Sequence, residues 1–120
     1  MNIGPDLRTK LLAMQKDEIT SYHLYLALAG MISDPHNSDT LRQIANQEMR
    51  HYQTWKIYTE KDVEPDTRKI RFYFWMARLL GLTFTLKLME KGEENAQANY
   101  SGLLQAIPEI ETILREEERH

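Results

Sequence analysis

A glutamate and a histidine three residues apart, Glu48 and His51, recur at the end of the chain as Glu117 and His120. Positions three apart share one face of an α-helix, so each pair can aim a carboxylate and an imidazole at a common point. The residues leading into the two pairs repeat as well. Leu41, Ile44 and Ala45 precede Glu48 at the same offsets at which Ile110, Ile113 and Leu114 precede Glu117. Both pairs therefore lie on an apolar helical stripe and not on a solvent face. Burying ionisable groups without neutralisation costs several kcal/mol each. A metal ion is the neutralising partner that this combination of residues suggests.

Two further glutamates extend the pattern. Glu18 lies within the stripe Leu7, Leu11, Met14, Tyr25, Ala29 and Ile32, and Glu93 lies within Leu82, Leu86, Met89, Ala96, Tyr100, Leu103 and Ile107. Each precedes a tyrosine by seven residues, Tyr25 and Tyr100, which places the tyrosine two turns on along the same side. At about 100° per residue, Glu93 falls mid-stripe, Glu90 on its flank and Glu94 on the polar side. Four carboxylates, Glu18, Glu48, Glu93 and Glu117, carry a charge of roughly −4 that two divalent ions cancel. Oxygen donors with two imidazoles, His51 and His120, suit Fe(II) or Mn(II); zinc would bind but leave the oxygen chemistry unused. In this reading Glu48 and Glu117 bridge the ions, Glu18 and Glu93 cap them, each histidine serves one ion, and Glu90 is an optional further ligand. Tyr25 and Tyr100 would donate hydrogen bonds to the carboxylates.

Taken singly, these residues have simpler explanations. Glu18 can be a salt-bridge partner for an arginine such as Arg78, and 116–118 can be a solvated run of charge. The tyrosines can be amphipathic core residues, His23 a flank residue and His36 a loop residue. The duplication of six residues at matching offsets on four stripes is what favours a shared site.

Four helices must position these groups. Pro5 and Asp6 open the first, which is expected to run to about residue 32. The turn-rich stretch 33–38, with Pro35 as a stop, separates it from a second helix capped by Ser38 or Asp39 and ended by 63–66. A loop this short makes the two helices antiparallel neighbours. The aromatic and basic stretch 67–80 reads as a helical connection, with a break at Gly81 before the third helix proper or, as the alternative, one unbroken long helix. Pro108 begins the fourth helix.

At 120 residues the chain suffices for one domain. Its net charge of −3 and the lack of a basic stripe interleaved with aromatic residues argue against nucleic acid as the main partner. The absence of cysteine excludes disulfides, thiolate zinc sites and iron–sulfur clusters, and suits a reducing cytoplasm. No signal peptide opens the chain and no run of about 18 apolar residues is present, so a soluble domain is expected. A candidate ligand on the last residue, His120, leads to the further expectation that residues 1–120 are a domain of a longer protein.

The motifs Glu18 with Tyr25, Glu48-x-x-His51, Gly92-Glu93 with Tyr100, and Glu117-x-x-His120 resemble those of the ferritin-like diiron carboxylate proteins, rubrerythrin in particular. The resemblance implies an all-α, ferritin-like four-helix bundle with a helical crossover between helices two and three, holding two iron ions. It implies a ferroxidase-type reaction on Fe(II), with O2 or peroxide as oxidant and Mn(II) as a possible substitute. Two departures bear on a rubrerythrin-like peroxidase reading: there is no cysteine-bearing rubredoxin module, and Ala96 stands where rubrerythrins carry a further carboxylate three residues after the third-helix glutamate. The stretch 81–94 is similar to the N-terminal domains fused to membrane transporters of the vacuolar iron transporter family. That likeness implies a cytoplasmic-face domain of a membrane-anchored parent. A homodimer is expected from the aromatic surface of 70–80. The alternatives are a module that senses or stores iron without turnover, and a metal-free helical adaptor.

Overall fold

A computed structural model describes the backbone of residues 4–100 and the side chains of residues 4–92. The architecture is all-α: α1 (Pro5–Ala29), α2 (Pro35–Thr59), α3 (Thr67–Leu80) and α4 (Leu82–Tyr100), with no strand among the described residues. No helix among them is long and apolar enough to cross a membrane. The fourth helix expected from Pro108 lies outside the described residues. By its contacts the chain divides into two units between Trp75 and Met76.

The first unit is built on the pairing of α1 with α2. Pro5 occupies the first turn of α1, where its missing N–H costs nothing. The helix ends at Ala29, three residues short of the expected boundary. The start of α2 also departs from expectation. Pro35 does not stop a helix but begins one, with Asp34 as its N-cap accepting from the His36 backbone N–H at 3.2 Å. His36 is consequently an exposed residue of the first turn of α2, not of a loop. Ser38, expected as a cap, is buried and donates its hydroxyl to the Ala29 carbonyl at 3.0 Å. Its oxygen in turn accepts from Arg42 Nη1 at 2.8 Å. At the far end α2 stops at Thr59, where Glu60 adopts a left-handed conformation (φ 55°) and its N–H bonds the Lys56 carbonyl at 2.8 Å.

Hydrogen bonds at the two ends establish the antiparallel pairing. Ser38 joins the start of α2 to the end of α1, while Thr59, at the end of α2, donates to Gln15 Oε1 at 2.6 Å. Gln15 Nε2 donates to the Lys61 carbonyl at 2.6 Å, and Arg8 Nη2 to the Thr59 carbonyl at 2.9 Å. The connecting stretch 60–66 then folds back on both helices. Val63 N–H donates to the Tyr52 hydroxyl at 2.9 Å, and Asp66 N–H to Thr20 Oγ1 at 2.9 Å. Asp66 caps α3 by accepting from Lys69 N–H at 3.2 Å. Between the pins lies an apolar interior of Leu11, Met14, Leu24, Leu28, Leu41, Ala45 and Trp55, all buried.

In the second unit α3 ends at Gly81, whose φ of 97° is a conformation that favours glycine, and α4 begins at the next residue. The expected break thus occurs. Along α4 Met89 is buried as expected, whereas Leu82 and Leu86 are half-buried and Thr85 is the fully buried residue of the first turns. Thr85 donates its hydroxyl to the Gly81 carbonyl at 3.0 Å, one turn back, which satisfies it locally.

The Gln15–Thr59 bond is completely buried, so removing one partner strands the other. Thr59→Val preserves shape and leaves Gln15 Oε1 without its donor; the expected loss is about 1–3 kcal/mol, read as a lower melting temperature. By contrast Lys56 Nζ and Asp62 Oδ1, 2.6 Å apart, are largely solvated. Their hydrogen bond and charge attraction hold the Asp62 carboxyl below and the Lys56 ammonium above their ordinary values. What the pair contributes is lost as pH falls through the lowered Asp62 value or rises through the raised Lys56 value, and is flat between. Asp62→Asn should therefore leave the neutral-pH melting temperature nearly unchanged.

Candidate metal centre

Three of the residues singled out by the sequence converge. Glu18 from α1 and Glu48 and His51 from α2 present ligand atoms that all lie within 4.8 Å of one another. The three side chains are almost fully withdrawn from solvent, at 7%, 2% and 2% exposure. Helical geometry explains the α2 half: Glu48 and His51 are three residues apart and follow Leu41 and Ala45 down the buried stripe, with Tyr52, Trp55 and Tyr58 continuing it. On α1, Glu18 sits one turn beyond Met14 and Gln15 and two turns before Leu24 and Tyr25, all buried.

His51 Nδ1 stands 3.3 Å from Glu18 Oε2. A charge-assisted hydrogen bond is normally shorter, about 2.7–2.9 Å. Two ligands bound at about 2.1 Å to one ion at right-angled or tetrahedral positions stand about 3.0–3.4 Å apart. The 3.3 Å separation is that of a long hydrogen bond and also falls within the range for two neighbouring ligands of one ion. The outer limit of 4.8 Å for the group is close to the roughly 4.2 Å between ligands on opposite sides of one ion, so small side-chain movements suffice. The donor set, two carboxylate oxygens and an imidazole nitrogen with no sulfur, fits a divalent first-row ion. An ion would also offset the cost of gathering two acidic groups in a dry interior. Glu18, Glu48 and His51 form a group that can hold a metal ion.

The remaining candidates stand as follows. Tyr25, expected to support a carboxylate, is buried on α1 two turns beyond Glu18. Glu90 is exposed on α4. Glu93 and Tyr100 lie on the described backbone of α4, but their side chains, like all of Glu117 and His120, fall outside the described residues. His23 is exposed, in keeping with a flank position. Among the buried polar residues that sequence reasoning passed over is Gln15. It is fully buried three residues before Glu18, and that spacing was its only signal. No protein-family model, curated protein or solved structure matches the chain.

Glu48→Gln keeps the shape of the side chain and removes its charge. With metal absent the variant should melt at or above the parent temperature, since a buried charge is removed. Mn(II) at a hundredfold its dissociation constant should stabilise the parent by about 2.7 kcal/mol and the variant hardly at all. A parent whose melting temperature ignores Mn(II), Fe(II) and Zn(II) alike would remove the case for a metal centre.

Proposed function

We propose that the chain is a ferritin-like iron-handling domain that takes Fe(II) as substrate and passes its electrons to O2 or peroxide. The observation that carries this reading is the buried Glu18–Glu48–His51 group. Bound iron would supply the reversible Fe(II)/Fe(III) chemistry on which this reading rests, in a protein with no cysteine to provide thiol redox chemistry. The two carboxylates supply negative charge, which favours Fe(III) over Fe(II) by simple Coulomb attraction in a poorly screened interior. His51 adds a neutral nitrogen donor, filling a position without raising the net negative charge. Placement on two packed helices keeps the donors close to the geometry an ion requires, and burial limits the access of bulk water. In the full proposal Glu93, Glu117 and His120, with Glu90 optional, complete the ligand set of a second ion. Tyr25 and Tyr100 orient carboxylates by hydrogen bonding.

A second reading has its own support. Glu18, Glu48 and His51 all belong to α1 and α2, so one ion can be held without any residue beyond Thr59. A module that senses or stores iron without turnover needs no more than that.

Anaerobic titration with Fe(II), followed by admission of air, separates the readings. Saturation near two irons per chain with a prompt near-ultraviolet rise supports the oxidising domain. Saturation at one iron, with no absorbance change in air, selects the binding module. His51→Ala should weaken the first binding event on the order of a hundredfold, and an unaltered isotherm would show that iron binds elsewhere.

A further inference from the structure

Glu18, Glu48 and His51 are buried, so an ion reaches them only if some part of the protein moves. Within the first unit the two helices are poorly suited to that movement. Each has 25 residues, and the pair is pinned at one end by Ser38 on Ala29 and at the other by Thr59 on Gln15 and Arg8 on Thr59. The return segment 60–66 is different. It is non-helical, and Glu60, Lys61, Asp62 and Glu64 are exposed along it. Three main-chain bonds tie it to side chains of the pair. The Lys61 carbonyl accepts from Gln15 Nε2 at 2.6 Å, Val63 N–H donates to the Tyr52 hydroxyl at 2.9 Å, and Asp66 N–H donates to Thr20 Oγ1 at 2.9 Å. These anchors are interleaved with the ligands. Gln15 and Thr20 lie on α1 before and after Glu18, about 7.5 Å apart along the helix axis, and Tyr52 follows His51 on α2. The segment thus returns along the pair at the level of the cluster. Four of its seven residues, Glu60, Asp62, Glu64 and Asp66, are acidic, against one lysine, a charge that draws cations to the side on which it lies.

We propose that the segment 60–66 is a latch whose opening admits and releases a divalent cation at Glu18, Glu48 and His51, with Tyr52 and Thr20 as the residues that keep it shut. The inference rests on the metal-binding reading of that cluster. Releasing a short surface segment held by three bonds costs less than parting two pinned helices, and such segments are the ones that open locally. The latch therefore opens while α1 and α2 keep their register. Tyr52 is its main fastening. The Tyr52 hydroxyl accepts from Val63 N–H and lies 3.4 Å from Asp62 Oδ1 and 3.5 Å from the Val63 carbonyl, so one oxygen holds the middle of the segment from the position next to His51. The open form is rare with or without an ion. Weakening the latch then raises uptake and release by a common factor and leaves the affinity unchanged.

Two measurements on the full chain test this: an equilibrium titration with Mn(II), and the rate at which bound Mn(II) is released into an excess of a chromophoric chelator. Loss of one neutral hydrogen bond should raise the open population about fivefold. Tyr52→Phe should therefore release Mn(II) faster by that factor at an unchanged dissociation constant. Thr20→Val, which removes the acceptor of Asp66 N–H from the other helix, should do the same. Ser38→Ala weakens the opposite end of the helix pair, away from the latch, and should lower the melting temperature while leaving the release rate as it is. In the metal-free protein the Asp66 amide, bonded to Thr20 and not to Tyr52, should exchange its hydrogen faster in Tyr52→Phe, because the segment opens as one unit. A parent chain that binds no Mn(II) overturns the metal reading and the latch with it. A parent that binds Mn(II), with release unchanged by both Tyr52→Phe and Thr20→Val or an Asp66 amide that ignores Tyr52→Phe, overturns the latch alone. Release that Ser38→Ala speeds as much as Tyr52→Phe does also overturns it, by assigning the path to a parting of the helices.

Discussion

Two carboxylates and an imidazole are packed into the contact between α1 and α2, and a protein interior does not tolerate such a group unless its geometry and its charge are both managed. The geometry is managed from the ends. Ser38 on Ala29 fixes one end of the helix pair, and Thr59 on Gln15 with Arg8 on Thr59 fixes the other. Residue numbers rise along α1 as those of their partners fall along α2, and Glu18 facing His51 falls within that same register. A slip of either helix by one residue would turn Glu48 or Glu18 off the contact by about 100°. The pins therefore do more than hold two helices together; they keep three ionisable groups facing one another.

The stretch 60–66 contributes a second restraint. It returns across the pair, bonding Gln15 through the Lys61 carbonyl, Tyr52 through Val63 and Thr20 through Asp66. Its bonds run from main-chain groups to side chains buried on α1 and α2, so they satisfy polar groups that the interior would otherwise strand. Gln15 illustrates the arrangement well. Its amide oxygen accepts from α2 and its amide nitrogen donates to the return segment, so a side chain of zero exposure spends both ends. A polar interior satisfied to this degree favours one packing over its neighbours, because nearly any alternative breaks several bonds at once.

How much of this was legible in the sequence differs from helix to helix. The α2 stripe was fully readable: Leu41, Ala45, Glu48, His51, Tyr52, Trp55 and Tyr58 are all buried, and Ile44 half-buried. One face of α2 meets α1 and the opposite face meets water, so a period of 3.6 survives in the residue types. The α1 stripe was readable only in part. Gln15, Ile19, Thr20, Leu24 and Leu28 are buried outside the narrow line, because α1 is covered by α2 on one side and by 60–66 on another, and burial on two sides blurs periodicity. Pro35 was misread for a local reason. A proline both ends one helix and starts the next, and only the Asp34 cap distinguishes the two roles. The three clustered ligands were found from spacing alone, whereas Gln15 and Thr59 were not, since nothing in a sequence shows which polar residues a return segment will meet.

The location of the cluster has a consequence for folding. Its three ligands come from adjacent helices joined by a five-residue connection, 30–34, so the contacts that assemble it close a short loop and cost little chain entropy. A metal that binds this arrangement but not the unfolded chain adds its binding free energy to folding. Without the ion the pair must be held by its apolar stripe and by the end pins, against the mutual repulsion of two acidic groups in a dry site. Those pins are buried hydrogen bonds between neutral groups, apart from Arg8, and so are insensitive to the charge state of the cluster. The α1–α2 pair is thereby able to keep its register whether or not a cation neutralises its ionisable centre.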